Sequence, residues 1–165
     1  MGAERERGGR FAPIPGADPD RLFAGAIAEN VPYYRMYGKL YCLPAFVRYS
    51  AEEAAALAEA SEAVDRIYRK ALRFAQRSLP DAFLTERLGI PKAMIPAARV
   101  ETPAHLLSRQ DWIVSGGELR WIENNTDTPS GVPEAACLAG SLIGAHGAGY
   151  IDLSAGMDEI GRAHV

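Results

Sequence analysis

Between positions 106 and 125 the chain alternates polar and apolar side chains around a Gly-Gly pair, which reads as a single β-hairpin. The first strand is Leu106-Leu107-Ser108-Arg109-Gln110-Asp111-Trp112-Ile113-Val114. Ser115-Gly116-Gly117 turns the chain, and Glu118-Leu119-Arg120-Trp121-Ile122-Glu123-Asn124-Asn125 returns. Side chains two apart on a strand share a face. Arg109 and Asp111 therefore point one way together, as do Glu123 and Asn125. Folding back at the glycines sets the two pairs side by side across the strands. One cation, two carboxylates and one amide oxygen then occupy one sheet face. Oxygen ligands of this kind suit Mg²⁺, which takes one or two carboxylates and completes its shell with substrate phosphates. An arginine beside it can stabilise charge on a phosphoryl group in transfer.

The ordinary reading of the same residues is a solvated face with surface ion pairs, which implies no function. Two details favour the metal reading. The other strand face, through Trp112, Val114, Leu119 and Trp121 with Ile113 and Ile122 interleaved, is apolar enough to be well buried. The second strand also runs on into Asn125-Thr126-Asp127-Thr128-Pro129-Ser130-Gly131, denser in polar groups than one turn requires.

Composition excludes several other classes. A length of 165 residues suits one domain or part of a larger one, and 48% apolar residues suffice for a core. A net charge of -3 offers no basic field for nucleic acid. Cys42 and Cys137 lie far apart, without metal spacing. They read as two ordinary buried thiols in a reduced setting, with a disulfide left open. There is no Cys/His cluster for zinc, no Walker-type phosphate loop and no nucleophile elbow. The first seven residues, Met-Gly-Ala-Glu-Arg-Glu-Arg, lack the apolar core of a secretory signal, and Met1-Gly2 lacks the Ser or Thr at position 6 of a myristoylation signal. The most apolar stretch, Ala135 to Ala145, is too short for a bilayer and contains Gly140 and Gly144. A soluble, cytoplasmic chain is expected.

The rest of the chain is read from its punctuation. Residues 1–17 are charged, then rich in Gly and Pro, and are expected to be disordered or a loose strap. Asp18-Pro19-Asp20 opens a helix to about Asn30. Tyr33 to Tyr41 packs four tyrosines into nine residues, read as an irregular segment seated on the core rather than a ligand surface. Phe46 to Tyr49 is a short strand. Ser50-Ala51-Glu52-Glu53 is a capping box opening the strongest helix, to about Gln76. Its Leu57, Ala60, Val64, Ile67, Ala71 and Phe74 recur at spacings of three and four, a stripe expected to face a core. A shorter helix spans Pro80 to Leu88, and a last one runs from near Gly131 to His146. His105 stands near the first strand, within reach of the site, though such a histidine is ordinarily a bonded loop residue. His146 sits where a helix end needs a simple cap.

Arg-x-Asp on one strand with Glu-x-Asn ending the next resembles the magnesium-binding signature of ATP-grasp ligases. Its early position, by residue 125 and after helices, is similar to the permuted arrangement of glutathionylspermidine synthase and its acid–amine ligase relatives. The capped helix from Ser50, the segment Leu88-Gly89-Ile90-Pro91, and Glu123 to Gly131 leading into Pro133-Glu134-Ala135-Ala136 agree with it. The resemblance covers roughly residues 28 to 145. It implies an α+β chain: an N-terminal helical, pre-ATP-grasp-like region leading into the hairpin and helix of a partial ATP-grasp domain, over residues 18–150.

The resemblance further implies roles. Arg109 would contact ATP phosphates and stabilise the transferring group, with Asp111 also at the nucleotide. Asp111, Glu123 and Asn125 would hold one or two Mg²⁺ ions. Thr128 and Ser130 would contact the carboxylate substrate, helped by free N–H groups at the helix start. The partners implied are a small-molecule or peptide carboxylate and an amine such as a polyamine, joined at the expense of ATP.

Residues 151–165 are expected to be an unstructured tail. Ile160-Gly161-Arg162-Ala163-His164-Val165 matches the translation of a common sequencing-adapter read-through, so an artefact ending a fragment is expected there, with a genuine terminus as the alternative. A fragment without nucleotide lid or lysines is expected to be inactive alone. Two other readings stand beside the ligase. One is a non-catalytic metal- or anion-binding domain of the same fold. The other is a hydrolase working through Asp111 and Glu123, for which Arg109 and Asn125 at matched offsets are a poorer fit.

Overall fold

The computed structural model describes residues 11–101, 107–127 and 129–157. The fold is mixed α+β, and with 47% helix against 18% strand its sheets are small antiparallel pairs rather than a central layer. No helix among the described residues is long and apolar enough to cross a membrane. The described residues form two compact units, 11–54 with 130–157, and 55–101 with 107–127 and 129.

The first unit is built on short elements. β1 (Phe11–Pro13) pairs antiparallel with β4 (Ala45–Val47), Phe11 opposite Val47. The segment expected to be a loose strap is thus held from Phe11 onward, and Ile14 enters the core at 7% exposure. Residues 1–10 lie outside the described residues. The helix expected from Asp18 to Asn30 is two pieces, α1 (Pro19–Leu22) and α2 (Ala26–Asn30). Asp18 caps the first, its carboxylate accepting from the Asp20 amide at 3.0 Å. Gly25, at φ 65°, turns the chain between them in a conformation that favours glycine.

The tyrosine-rich segment is more regular than expected. β2 (Arg35–Met36) and β3 (Lys39–Leu40) form a miniature hairpin whose turn holds Tyr37 and Gly38 at φ 52° and 72°. Tyr33 and Tyr34 pack against the core, whereas Tyr37 stands almost fully exposed. The Asp20 carboxylate ties α1 to β2, accepting from Arg35 Nε at 2.7 Å, Arg35 Nη2 at 3.0 Å and the Tyr34 hydroxyl at 3.1 Å.

The last helical stretch begins after Gly131, as read from the sequence, but Glu134–Leu138 is a π-helical turn before α6 (Ala139–His146). Gly147 ends it. A Cβ there would lie 2.7 Å from Ile143 Cα, so no larger residue fits without a shift. Residues 151–157 are not a free tail. Asp152 accepts from the Ser154 amide at 2.8 Å, and the Ser154 hydroxyl donates to the Ala135 carbonyl at 2.6 Å. Residues 158–165, and with them the adapter-like ending, lie outside the described residues.

The core of this unit joins Ile14, Phe23, Val31, Cys42 and Leu142. Phe23 is completely buried, so its truncation removes contacts that nothing nearby can replace. Phe23→Ala is expected to cost about 3–5 kcal/mol of stability, read as a lower urea midpoint for the first unit. A change below about 1 kcal/mol would mean that the ring is not seated in this core.

The second unit is organised by α3 (Ala51–Ser78). Its capping box forms as read: Ser50 Oγ accepts from the Glu53 amide at 3.1 Å, and Glu53 Oε2 accepts from the Ser50 amide at 2.9 Å. Its other end is closed from a distance. Arg99 donates to the carbonyls of Ala75, Gln76 and Leu79 at 3.0, 2.5 and 2.6 Å, satisfying acceptors that a helix end leaves open. α4 (Asp81–Glu86) follows, shorter than expected, then a 3₁₀ turn (Lys92–Met94) and α5 (Ile95–Ala98) that the sequence did not announce.

Two expectations about burial are corrected here. The apolar stripe of α3 is only partly covered: Leu57, Ala60 and Val64 are half-buried, whereas Ile67, Ala71 and Phe74 are exposed. The helix has no fully buried residue, and Ile67 and Phe74 are 64% and 59% exposed. The face that packs is the neighbouring one, where Tyr68 meets Trp121 with ring centroids 5.5 Å apart and Ser61 accepts from Gln110. The hairpin's apolar face is likewise only half-buried. Ile113 and Ile122 are exposed, because Ile113 belongs to the opposite face and Ile122 sits in an irregularity described next.

Candidate metal and phosphate site

β5 (Arg109–Ser115) and β6 (Glu118–Asn125) are joined by Gly116 and Gly117 at φ 61° and 84°. Two positive φ values in a two-residue loop give the tight turn whose twist matches a hairpin. The turn fixes Ser115 opposite Glu118, then Val114 opposite Leu119, Ile113 opposite Arg120 and Trp112 opposite Trp121.

An unbroken ladder from this turn would place Asp111 opposite Ile122 and Gln110 opposite Glu123. Glu123 and Asn125 would then share the face of Gln110 and Trp112, away from Arg109 and Asp111. The ladder is broken. Ile122 is an extra residue in β6, and beyond it Asp111 lies opposite Glu123 and Arg109 opposite Asn125. A one-residue bulge moves every later side chain to the other face. The four expected residues therefore share a face because of Ile122. Alternation alone would have separated them, and the parity of residues counted from the Gly-Gly turn was the available signal.

The cluster is connected. Arg109 donates from Nε to Asp111 Oδ1 at 2.9 Å and from Nη2 to Oδ2 at 3.3 Å. Asn125 Nδ2 lies between the carboxylates, 2.9 Å from Glu123 Oε1 and 3.5 Å from Asp111 Oδ2. The amide thus presents its positive edge where the two acids converge. Turning that amide over would bring its oxygen to the same place. Asp111 and Arg109 are partly exposed, with side-chain exposures of 35% and 40%, so the group is open to an incoming ion or phosphate.

The Arg109 hydrogen bond holds the Asp111 carboxyl below its ordinary value, against a smaller opposing effect of burial. A carboxyl lowered in the folded state stabilises it above the unfolded value and loses that contribution as pH falls through the folded value. Asp111 is therefore expected to stay ionised through the whole neutral and mildly acidic range. A carboxyl ¹³C titration should give a midpoint below that of a free aspartate, moving upward in Arg109→Ala. An ordinary midpoint unaffected by that substitution would contradict the pairing.

The opposite face explains how the site is held. Gln110 Nε2 donates to the Ser61 carbonyl of α3 at 3.0 Å, and Trp121 packs on Tyr68 of the same helix. Gln110 Oε1, Trp112 Nε1 and Asn124 Oδ1 are buried without a partner among the described residues.

Thr128 and His105 lie outside the described residues. Ser130 is an exposed residue of the first unit. Elsewhere, burial with added repulsion from Glu134 pushes the Cys42 thiol up, as suits an inert buried thiol. Both cysteines are free. A cavity of 480 Å³ between α4 and α5 is lined by Asp81, Thr85, Glu86 and Lys92, but Arg99 already engages Asp81. No family model, curated protein or solved structure matches the chain.

Proposed function

We propose that Arg109, Asp111, Glu123 and Asn125 form the Mg²⁺–phosphate site of an ATP-dependent carboxylate–amine ligase of the glutathionylspermidine synthase type. The observation that carries this reading is the bulge at Ile122, which turns Glu123 and Asn125 to the face of Arg109 and Asp111. Bulges of this kind occur beside active sites, where they re-aim side chains.

The donors fit the ion. Asp111 and Glu123 supply hard carboxylate oxygens, and Asn125 an amide oxygen once its side chain turns over. Among the described residues no three His, Cys, Asp or Glu side chains gather as a metal site. The shell would be completed by phosphate oxygens, which is how Mg²⁺ is usually held at nucleotides. When bound, the ion would neutralise phosphate charge. Arg109, fixed through two hydrogen bonds to Asp111, would then stand ready to offset charge on the group in flight. The substrate carboxylate attacks the γ-phosphorus and releases ADP, forming an acyl phosphate. The amine attacks the acyl carbon, phosphate leaves and an amide results. The chain's hairpin and helices would be part of an ATP-grasp domain.

The test is ADP release by the product of the full reading frame. Release should require both a carboxylic acid and an amine. It should fall far more in Glu123→Ala or Asn125→Ala than in Thr128→Ala, which should mainly raise KM for the acid. Release unchanged in Glu123→Ala would remove this site from the mechanism and favour a non-catalytic binding domain.

A further inference from the structure

The apolar stripe of α3, exposed in its second half, matches itself when reversed. Leu57, Ala60, Val64, Ile67, Ala71 and Phe74 are placed symmetrically about the point between Asp65 and Arg66. A second copy running antiparallel would set Leu57 against Phe74, Ala60 against Ala71 and Val64 against Ile67. The largest side chains would meet at the two ends, β-branched ones at the centre, and small would meet small in between. The spacing of three and four is that of a coiled-coil seam, here about two and a half heptads long.

The charges of α3 have the same reversed symmetry. Every charged residue before that midpoint is acidic: Glu52, Glu53, Glu59, Glu62 and Asp65. Every one after it is basic: Arg66, Arg69, Lys70, Arg73 and Arg77. The helix macrodipole favours acids at the start and bases at the end, but its influence fades within the terminal turns. At the midpoint the charges pair within the helix, Glu62 with Arg66 and Asp65 with Arg69, which leaves the outer charges to a partner. At 100° per residue, Glu52, Glu59, Lys70 and Arg77 fall on one flank of the stripe, Arg77 being already paired with Glu101 of its own chain. The other flank carries Ser61 and Tyr68, already engaged with the hairpin. Antiparallel pairing about a two-fold keeps like flanks together, so Glu59 of one copy would face Lys70 of the other.

We propose that this chain self-associates through α3 as an antiparallel, two-fold symmetric pair, the occupant of the stripe being a second copy. Such an interface is isologous, the same patch serving both partners. It covers the side chains that most need covering, Ile67 and Phe74. It does not involve the hairpin cluster, so it stands or falls independently of the ligase reading.

Sedimentation of the chain over a concentration series should show a reversible dimer. Ile67→Asp should shift it to monomer while circular dichroism keeps its helix signal. Glu59→Lys should weaken the dimer by roughly tenfold in Kd through repulsion at both symmetric contacts. The double exchange Glu59→Lys with Lys70→Glu should restore it. A wild-type chain that stays monomeric throughout would overturn the proposal. So would a dimer indifferent to Ile67→Asp, which is held by another surface. A dimer that responds to Ile67→Asp but not to the charge exchange would overturn the antiparallel arrangement.

Discussion

Deletion of Ile122 is expected to abolish the hairpin's affinity for a divalent ion with ATP while leaving both strands formed. The deletion restores an unbroken ladder from the Gly-Gly turn. Glu123 and Asn125 then swing to the face that carries Gln110 and Trp112, where buried polar atoms already lack partners. Arg109 and Asp111 are left without the second carboxylate. Loss of the outer partners that merely orient metal ligands costs roughly 10–100-fold in affinity, and at least that is expected when the ligands themselves turn away. Ile122→Ala keeps the backbone count and should bind like the wild type, since Ile122 is exposed and packs on little. Mn²⁺ binding followed by spin resonance in the presence of ATP separates the two variants. Equal affinity in both would mean that the bulge does not organise the site.

Substitution of Arg109 by Ala is expected to lower kcat of the full reading-frame product by roughly 10³-fold, the scale seen when an arginine stabilising phosphoryl transfer is removed. Lysine should recover little of it. A single ammonium cannot reproduce the paired Nε and Nη2 contacts to Asp111. The loss should appear in kcat more than in KM for ATP, because the charge that Arg109 offsets is largest in the transition state. A loss confined to KM would make Arg109 a binding group only.

Much of this was legible in the sequence where a local rule decides the outcome. Ser50 and Glu53 form their reciprocal cap, and α3 runs from it nearly as far as expected. Gly116 and Gly117 turn the hairpin, and the helical stretch after Gly131 ends at His146. What was missed depends on counting or on tertiary context. Gly25 breaks a helix whose composition reads through it. The π turn at Glu134–Leu138 has no residue signature. The stripe of α3 is strongly patterned, yet a pattern says only that a face seeks apolar cover, and the hairpin lies on the neighbouring face. The site residues were found through alternation. The bulge that makes alternation come out right needed the register of the whole hairpin.

Paramagnetic relaxation measures directly whether the hairpin face of Arg109, Asp111, Glu123 and Asn125 binds an ion. Mn²⁺ with ATP, titrated into the isotope-labelled chain, should broaden the backbone amides of 109–111 and 123–125 first. Mg²⁺ should reverse the effect. The double variant Asp111→Asn with Glu123→Gln should abolish it. Broadening centred elsewhere, at Asp20 or around the α4–α5 cavity, or broadening at the hairpin that survives the double variant, would contradict the account.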